Sequence, residues 1–160
     1  HVPGSLVWDS ACVRLAAWVR LSDRTTGIEF RFVNTHLDHV GQLARENQAR
    51  IVNEDADAYP SDYPQLLSGD MNCPTGNPAI DTFLKGGWHD TYTQVHGNEE
   101  PGPTFHSFQG PAFSGDVGKI DWIFIRGALR PIGAEIIRDH NQGRYPSDHY
   151  FVTAEVELLA

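Results

Sequence analysis

From Val13 to Leu21 apolar and other residues alternate, with Val13, Leu15, Ala17, Val19 and Leu21 on one side and Arg14, Ala16, Trp18 and Arg20 on the other. That is the period of a β-strand with one buried face. Ser22-Asp23-Arg24-Thr25-Thr26-Gly27 is a turn cluster, after which Ile28, Phe30 and Phe32 alternate with Glu29, Arg31 and Val33, so the two runs predict a β-hairpin. Its second strand runs out at Asn34-Thr35-His36, which puts His36 at a sheet edge. The period then changes. Leu43, Ala44, Ile51, Val52 and Tyr59 recur at spacings near three, four and seven, predicting a helix over 41–59 that Pro60 stops. The short apolar run Leu66-Leu67-Ser68 leads directly into Gly69-Asp70-Met71-Asn72. Strand, helix and strand in that order build a central sheet with helices packed on it, an α/β class.

The second half is patterned more weakly. A loop over 74–78 precedes one or two helical turns at 79–84, and the Gly- and Pro-rich stretches 97–103 and 110–118 read as surface loops with a brief strand, Thr104–Phe108, between them. Residues 119–126, 131–137 and 150–159 are β-like, being rich in Ile, Val, Phe and Trp or alternating in polarity. There is no internal repeat and no low-complexity segment.

At 160 residues and 40% hydrophobic, the chain suits one domain with a core of its own. Its net charge of -9 sets 21 acidic residues against 12 basic ones, with Lys85 and Lys119 the only lysines. Nucleic acid is therefore not a favoured partner, because affinity for a phosphate backbone comes mainly from Lys and Arg displacing counterions. A bound divalent cation could supply the positive charge locally. Cys12 and Cys73 are too few for a disulfide framework and show no CxxC spacing. No apolar run approaches the ~18 residues of a membrane span. The first residues lack a signal-peptide pattern, but the chain carries no initiator Met, so its start is expected to lie inside a longer protein and its compartment stays open.

Polar residues gather where this reading places strand ends, the usual location of ligand sites in sheets flanked by helices. His36, Asp70, Asn72, Asp121, Asp148 and His149 are all at or near such ends. Taken singly, His36 can be a backbone-bonded histidine at a strand terminus, and Asp70 a turn residue bonded to its own backbone. His36 and His39 together could suggest zinc, though no Cys accompanies them. Asp121 is harder to explain in that way: it interrupts the apolar run Ile120-Asp121-Trp122-Ile123-Phe124, where an unpaired carboxylate is costly. His149 could supply its donor, fixing the imidazole tautomer and favouring the protonated ring. Asp148 could bind a hard divalent cation. Trp88, Trp122, Tyr145 and Phe113 could line a recognition surface, but core packing is the commoner role of such residues.

The order of Asn34-Thr35-His36-Leu37, Arg45-x-x-Gln48-Ala49, Gly69-Asp70-Met71-Asn72, Thr104-Phe105-His106, Lys119-Ile120-Asp121-Trp122-Ile123-Phe124 and Gly143-Arg144-Tyr145-Pro146-Ser147-Asp148-His149-Tyr150 resembles the endonuclease/exonuclease/phosphatase superfamily, bacterial members in particular. The resemblance implies a deoxyribonuclease I-like four-layer αββα sandwich and metal-dependent hydrolysis of a phosphodiester or phosphomonoester, with a nucleic acid, phospholipid or sugar phosphate as substrate. The implied cofactor is Mg²⁺, or Mn²⁺ in its place, with Asp148 as a ligand. Asp70 would orient or deprotonate water, Asn72 would hold that water or a phosphate oxygen, Asp121 would orient His149, and His36 and His149 would contact phosphate. Two motifs expected near the front, an Asn and a metal-binding Glu, are not found ahead of His36. Residues 1–160 are accordingly expected to be the C-terminal portion of the domain. The alternative is a catalytically incomplete module that binds a partner or dimerises through exposed sheet surface.

Overall fold

The computed structural model describes residue 2 and residues 4–159. Strands β1 (Ala16–Ser22) and β2 (Glu29–Thr35) form the predicted antiparallel hairpin. Its turn is held by the Asp23 carboxylate, which accepts the Thr25 and Thr26 N–H groups at 3.0 and 2.7 Å. Helix α1 (Gln42–Ala56) ends three residues before the predicted 59 and carries the chain to β3 (Gln65–Asp70), parallel to β2. Helix α2 (Pro78–Lys85) follows, its N-terminus capped by the Asn77 side chain on the Ala79 N–H. The two-residue strand β4 (His89–Asp90) and the short helix α3 (Thr91–His96) come next. Neither is marked by periodicity, and the Asp90 carboxylate caps α3 by accepting the Thr93 N–H and hydroxyl.

Strand β5 (Asp121–Arg126) runs antiparallel to both β3 and β4, completing a five-stranded sheet in the order β1-β2-β3-β5-β4. Strands β6 (Leu129–Ile137) and β7 (Phe151–Leu158) form a separate antiparallel pair. The predicted start of β6 at Pro131 is two residues late. Pro131 sits at a register shift between Pro131 and Gly133, where a residue without an N–H is tolerated. Thr104–Phe108 forms no strand, only a single bridge from Phe105 to His149.

Val33, Leu67 and Phe124 lie directly opposite one another across β2, β3 and β5. They and Trp122 bury against Val52 and Ala56 of α1, Ile80 and Phe83 of α2, and Trp88. Trp88 and Trp122 are therefore core residues. The same face of β2 buries Arg31, which is ion-paired with Asp55 of α1 and lies within 4.8 and 4.9 Å of the Trp18 and Tyr59 rings. The second sheet packs on the opposite face near β5, so α1 with α2, the large sheet and the small sheet stack in that order, and α3 lies against β6.

That opposite face is only partly covered. An open groove of about 580 Å³ remains, lined by Phe32, Leu66 and Ile123 of the large sheet and by Phe151 and Val152 of β7. The predicted buried side of β1 is not buried: every residue of the strand is exposed, with Val19 50% and Trp18 51% accessible. The cause is position. β1 is the edge of its sheet, with β2 as its single neighbour among the described residues. No helix among those residues is long and apolar enough to cross a membrane.

Candidate active site

Three elements of the large sheet and one of the small sheet end at the same place. Parallel β2 and β3 deliver His36 and Asp70 just past or at their C-terminal ends, and antiparallel β5 begins there with Asp121 directly opposite Asp70. His149 arrives from the loop that enters β7. Close approach of β2 and β3 requires Gly69: its φ is +145°, and a Cβ there would fall on the Thr35 carbonyl oxygen. Beyond Asp70 the chain turns through Asn72, whose φ of +50° is one that Asn tolerates better than most residues. The turn is tied by the Asn72 N–H to the Asp70 carboxylate at 2.8 Å and by the Asn72 amide group to the Leu37 carbonyl at 3.0 Å.

The side chains converge. The His149 ring places Nδ1 2.8 Å from Asp121 Oδ2, the pairing that the apolar setting of Asp121 called for. Its Nε2 lies 4.0 Å from Asp70 Oδ2, and His36 Nε2 lies 3.3 Å from the same oxygen. Asp70, Asp121 and His149 each offer a ligand atom, all within 4.8 Å of one another. Asp70 and Asp121 are largely shielded, with side chains 16% and 15% exposed, whereas His36 is half exposed at 52%.

This crowding sets the charges. Burial pushes the Asp70 carboxyl above the usual range; the Asn72 N–H opposes the rise and the nearby Asp121 charge reinforces it. The hydrogen bond to Asp121 raises the His149 imidazole above its ordinary value despite the opposing effect of burial. His36 moves the other way, burial outweighing the attraction of Asp70. The arrangement joins an imidazole whose proton affinity is raised by one carboxylate to a second carboxylate whose own proton affinity is raised by burial.

Asp148 stands apart from that cluster. Its backbone carbonyl accepts the His106 and Ser107 N–H groups at 2.8 and 3.0 Å, and its carboxylate lies 3.4 Å from the Ser147 hydroxyl. Among the described residues no group of three or more ligand side chains holds both His36 and His39. His39 groups instead with Cys12 and Asp38, and an Arg14 nitrogen lies 3.2 Å from its ring. Asp38 is unavailable as a ligand because its two oxygens accept the N–H groups of Ala11, Cys12, Val40 and Gly41. Burial alone would raise its carboxyl, but those four donors hold it at about 2. It clamps the entry segment onto the turn before α1. Sequence reasoning missed this clamp and a buried ion pair, Lys119 to Asp90 at 2.8 Å; the Asp-x-x-Thr spacing at Asp90 and Thr93 was the available sign of the cap that holds it. Tyr145 packs against the buried His106 ring at 4.5 Å, and Phe113 stands edge-on to Phe105 at 5.2 Å.

Comparisons with known proteins show the family and agree with the fold. Residues 2–149 match the Endonuclease/Exonuclease/phosphatase family. No curated protein matches the sequence significantly. Among solved structures, the Bacteroides thetaiotaomicron mannosyl-6-phosphatase is 28% identical, with a TM-score of 0.82 over 94% of this chain and 60% of that one. An endonuclease/exonuclease/phosphatase from Bacteroides vulgatus is 31% identical, with a TM-score of 0.84 over 97% of this chain and 59% of its own. The D. rerio TDP2 complexed with single strand DNA product shares the fold at 20% identity, with a TM-score of 0.74 over 93% and 64% of the two chains. The chain spans about three fifths of the length of the two bacterial structures.

Proposed function

The chain belongs to the endonuclease/exonuclease/phosphatase family, and from that premise we propose that it carries the acid/base half of a metal-dependent phosphoesterase site. The observation that carries this reading is His149, fixed by Asp121 through Nδ1 and turned with Nε2 toward Asp70. Asp121 keeps the ring protonated and oriented, so Nε2–H can donate to a phosphoryl oxygen as its charge develops. Asp70, with its basicity raised by burial, orients or deprotonates the attacking water. His36 stands beside Asp70 as a further phosphate contact, and Asn72 holds the Asp70 oxygen that is not directed at the histidines.

Two carboxylates crowded beside an imidazole fit a hard divalent cation such as Mg²⁺ or Mn²⁺. Asp70 and Asp121 would ligate it through carboxylate oxygens and Asp148, beyond that cluster, through a bound water; the protonated His149 ring keeps both nitrogens for hydrogen bonds. When bound, such an ion polarises the phosphoryl group and offsets charge on the leaving oxygen. The scarcity of lysine and the likeness to a mannosyl-6-phosphatase favour a small ester, such as a sugar phosphate, over a long duplex.

The test is hydrolysis of a chromogenic phosphodiester and a phosphomonoester with Mg²⁺, with Mn²⁺ and with chelator. His149→Ala should lower turnover by about 10²- to 10⁴-fold, the range for a positioned acid/base group. Full activity in chelator, or in that variant, sinks the reading.

The bare edge strand β1 and the open groove favour a second reading, in which these residues form the C-terminal portion of the domain and act as a binding or dimerising module. Concentration-dependent association by sedimentation, without metal-dependent hydrolysis, would decide for it.

A further inference from the structure

Asp121 begins β5 of the large sheet and His149 lies in the loop that enters β7 of the small one, so no strand ladder fixes the 2.8 Å bond between them. Thr104 supplies the missing link. It is fully buried. Its hydroxyl oxygen accepts the backbone N–H of Ile120 at 3.0 Å and of Asp121 at 3.1 Å. Its carbonyl accepts the Tyr150 N–H at 2.7 Å, and its own N–H donates to the Gly118 carbonyl at 3.2 Å. One residue is thus bonded on one side to the backbone that carries Asp121 and on the other to the residue beside His149. The link continues along the chain: Phe105 bridges to His149 and sets its ring edge-on to the imidazole at 5.0 Å.

A hydroxyl oxygen has two acceptor positions, and here both are taken by adjacent backbone N–H groups. A valine of similar shape would leave two donors without a partner at the start of β5, and the strand end could relieve them only by shifting. Serine keeps the acceptor.

We infer that Thr104 is a positioning residue for the Asp121–His149 pair, holding a side chain of β5 and one from the loop before β7 at hydrogen-bonding separation. Its consequence for turnover rests on the phosphoesterase reading above; its consequence for the pair does not. The experiment compares Thr104→Val and Thr104→Ser with the wild-type 160-residue chain. Proton NMR follows the downfield His149 Nδ1–H signal, assigned by its loss in His149→Ala, and a chromogenic phosphate ester with Mg²⁺ reports turnover. Thr104→Val should lose the signal to solvent exchange and lower kcat by about 10- to 100-fold with little change in KM, as a small misplacement does. Thr104→Ser should keep the signal and restore most of the turnover. A folded Thr104→Val that retains both overturns the inference, as does a Thr104→Ser that falls as far as Val. If Thr104→Val does not fold, amide exchange in the wild type decides: protection of the Ile120 and Asp121 N–H groups supports the link, and exchange at the rate of free loop amides refutes it. If no sample hydrolyses ester while the signal follows the hydroxyl, the positioning role stands and the phosphoesterase reading falls.

Discussion

Asp121→Asn tests the charge logic of the site more directly than any deletion, because it keeps the shape and removes one charge. The carboxylate is bonded to His149 Nδ1 at 2.8 Å, and both side chains are at most a quarter exposed. A charge-assisted hydrogen bond is worth about 1.5–3 kcal/mol and a neutral one about 0.5–1.5 kcal/mol. The difference, about 1–1.5 kcal/mol, must appear as a fall in the His149 pKa. The same change removes a negative charge that raises the Asp70 carboxyl, so Asp70 must fall too. NMR titration of the His149 ring and the Asp70 carboxyl carbon reads both shifts. The stability consequence has a definite sign. A raised histidine stabilises the folded state below its unfolded pKa of about 6.5 and loses that contribution as pH rises through the folded value. Asp70, also raised, costs stability once pH exceeds the unfolded carboxylate value. Relative to wild type, the variant should therefore lose more stability at pH 5.5 than at pH 8. Turnover should fall by about 10²-fold or more, since the ring is left without its charged partner. A His149 titration that stays in place, or an Asp70 titration that moves upward, refutes the reasoning.

Three further outcomes rest on other parts of the structure. Gly69→Ala puts a methyl group on the Thr35 carbonyl oxygen at a φ that alanine avoids, and should abolish the cooperative thermal transition or lower it by more than 10 °C, which in a chain of this size corresponds to a loss of about 2.5–5 kcal/mol or more. Lys119→Met leaves Asp90 buried without its cation and should cost about 3–5 kcal/mol in urea unfolding. Burial holds the Lys119 ammonium down to about 8; above that pH the folded chain releases a proton that the unfolded chain retains to about 10.4, so wild-type stability should gain from this group across that window and Lys119→Met should lack the gain. Burial pushes the Cys73 thiol up to about 12, while Cys12 is half-buried, so a thiol reagent at neutral pH should label Cys12 and reach Cys73 only in denaturant.

The hairpin and α1 were legible because their apolar residues repeat with a clear period over six or more positions, and β3 and the start of β5 because short apolar runs end or begin there at a polar residue. β4 and α3 are too short to show one, and Asp90 announces them only through its cap on Thr93. Periodicity also misled at β1 and β2. Alternation shows that a strand has two unlike faces, but what covers each face depends on strands distant in sequence. On β2 the helix-facing side includes Arg31, made tolerable by Asp55 and two aromatic rings, while Phe32 on the other side is 36% exposed. On β1 neither side is covered.

The site was legible for a different reason. Asp121 and His149 could be paired from sequence because a carboxylate in an apolar run demands a donor, and that demand is chemical rather than topological. Asp70 carried no such signal: a Gly-Asp-Met-Asn turn suits a turn residue as well as a base. Its role depends on Asp121 lying opposite it across β3 and β5, a register that no local pattern encodes. Thr104 was further out of reach, since its hydroxyl and carbonyl bonds join the start of β5 to the loop that enters β7, a contact that exists only after the two sheets have packed. Local chemistry therefore named the side chains that interact, while the long-range fold chose what holds them apart or together. A site of this kind should be more sensitive to a buried threonine outside it than to its own half-exposed His36, and that ranking is open to measurement in one set of variants.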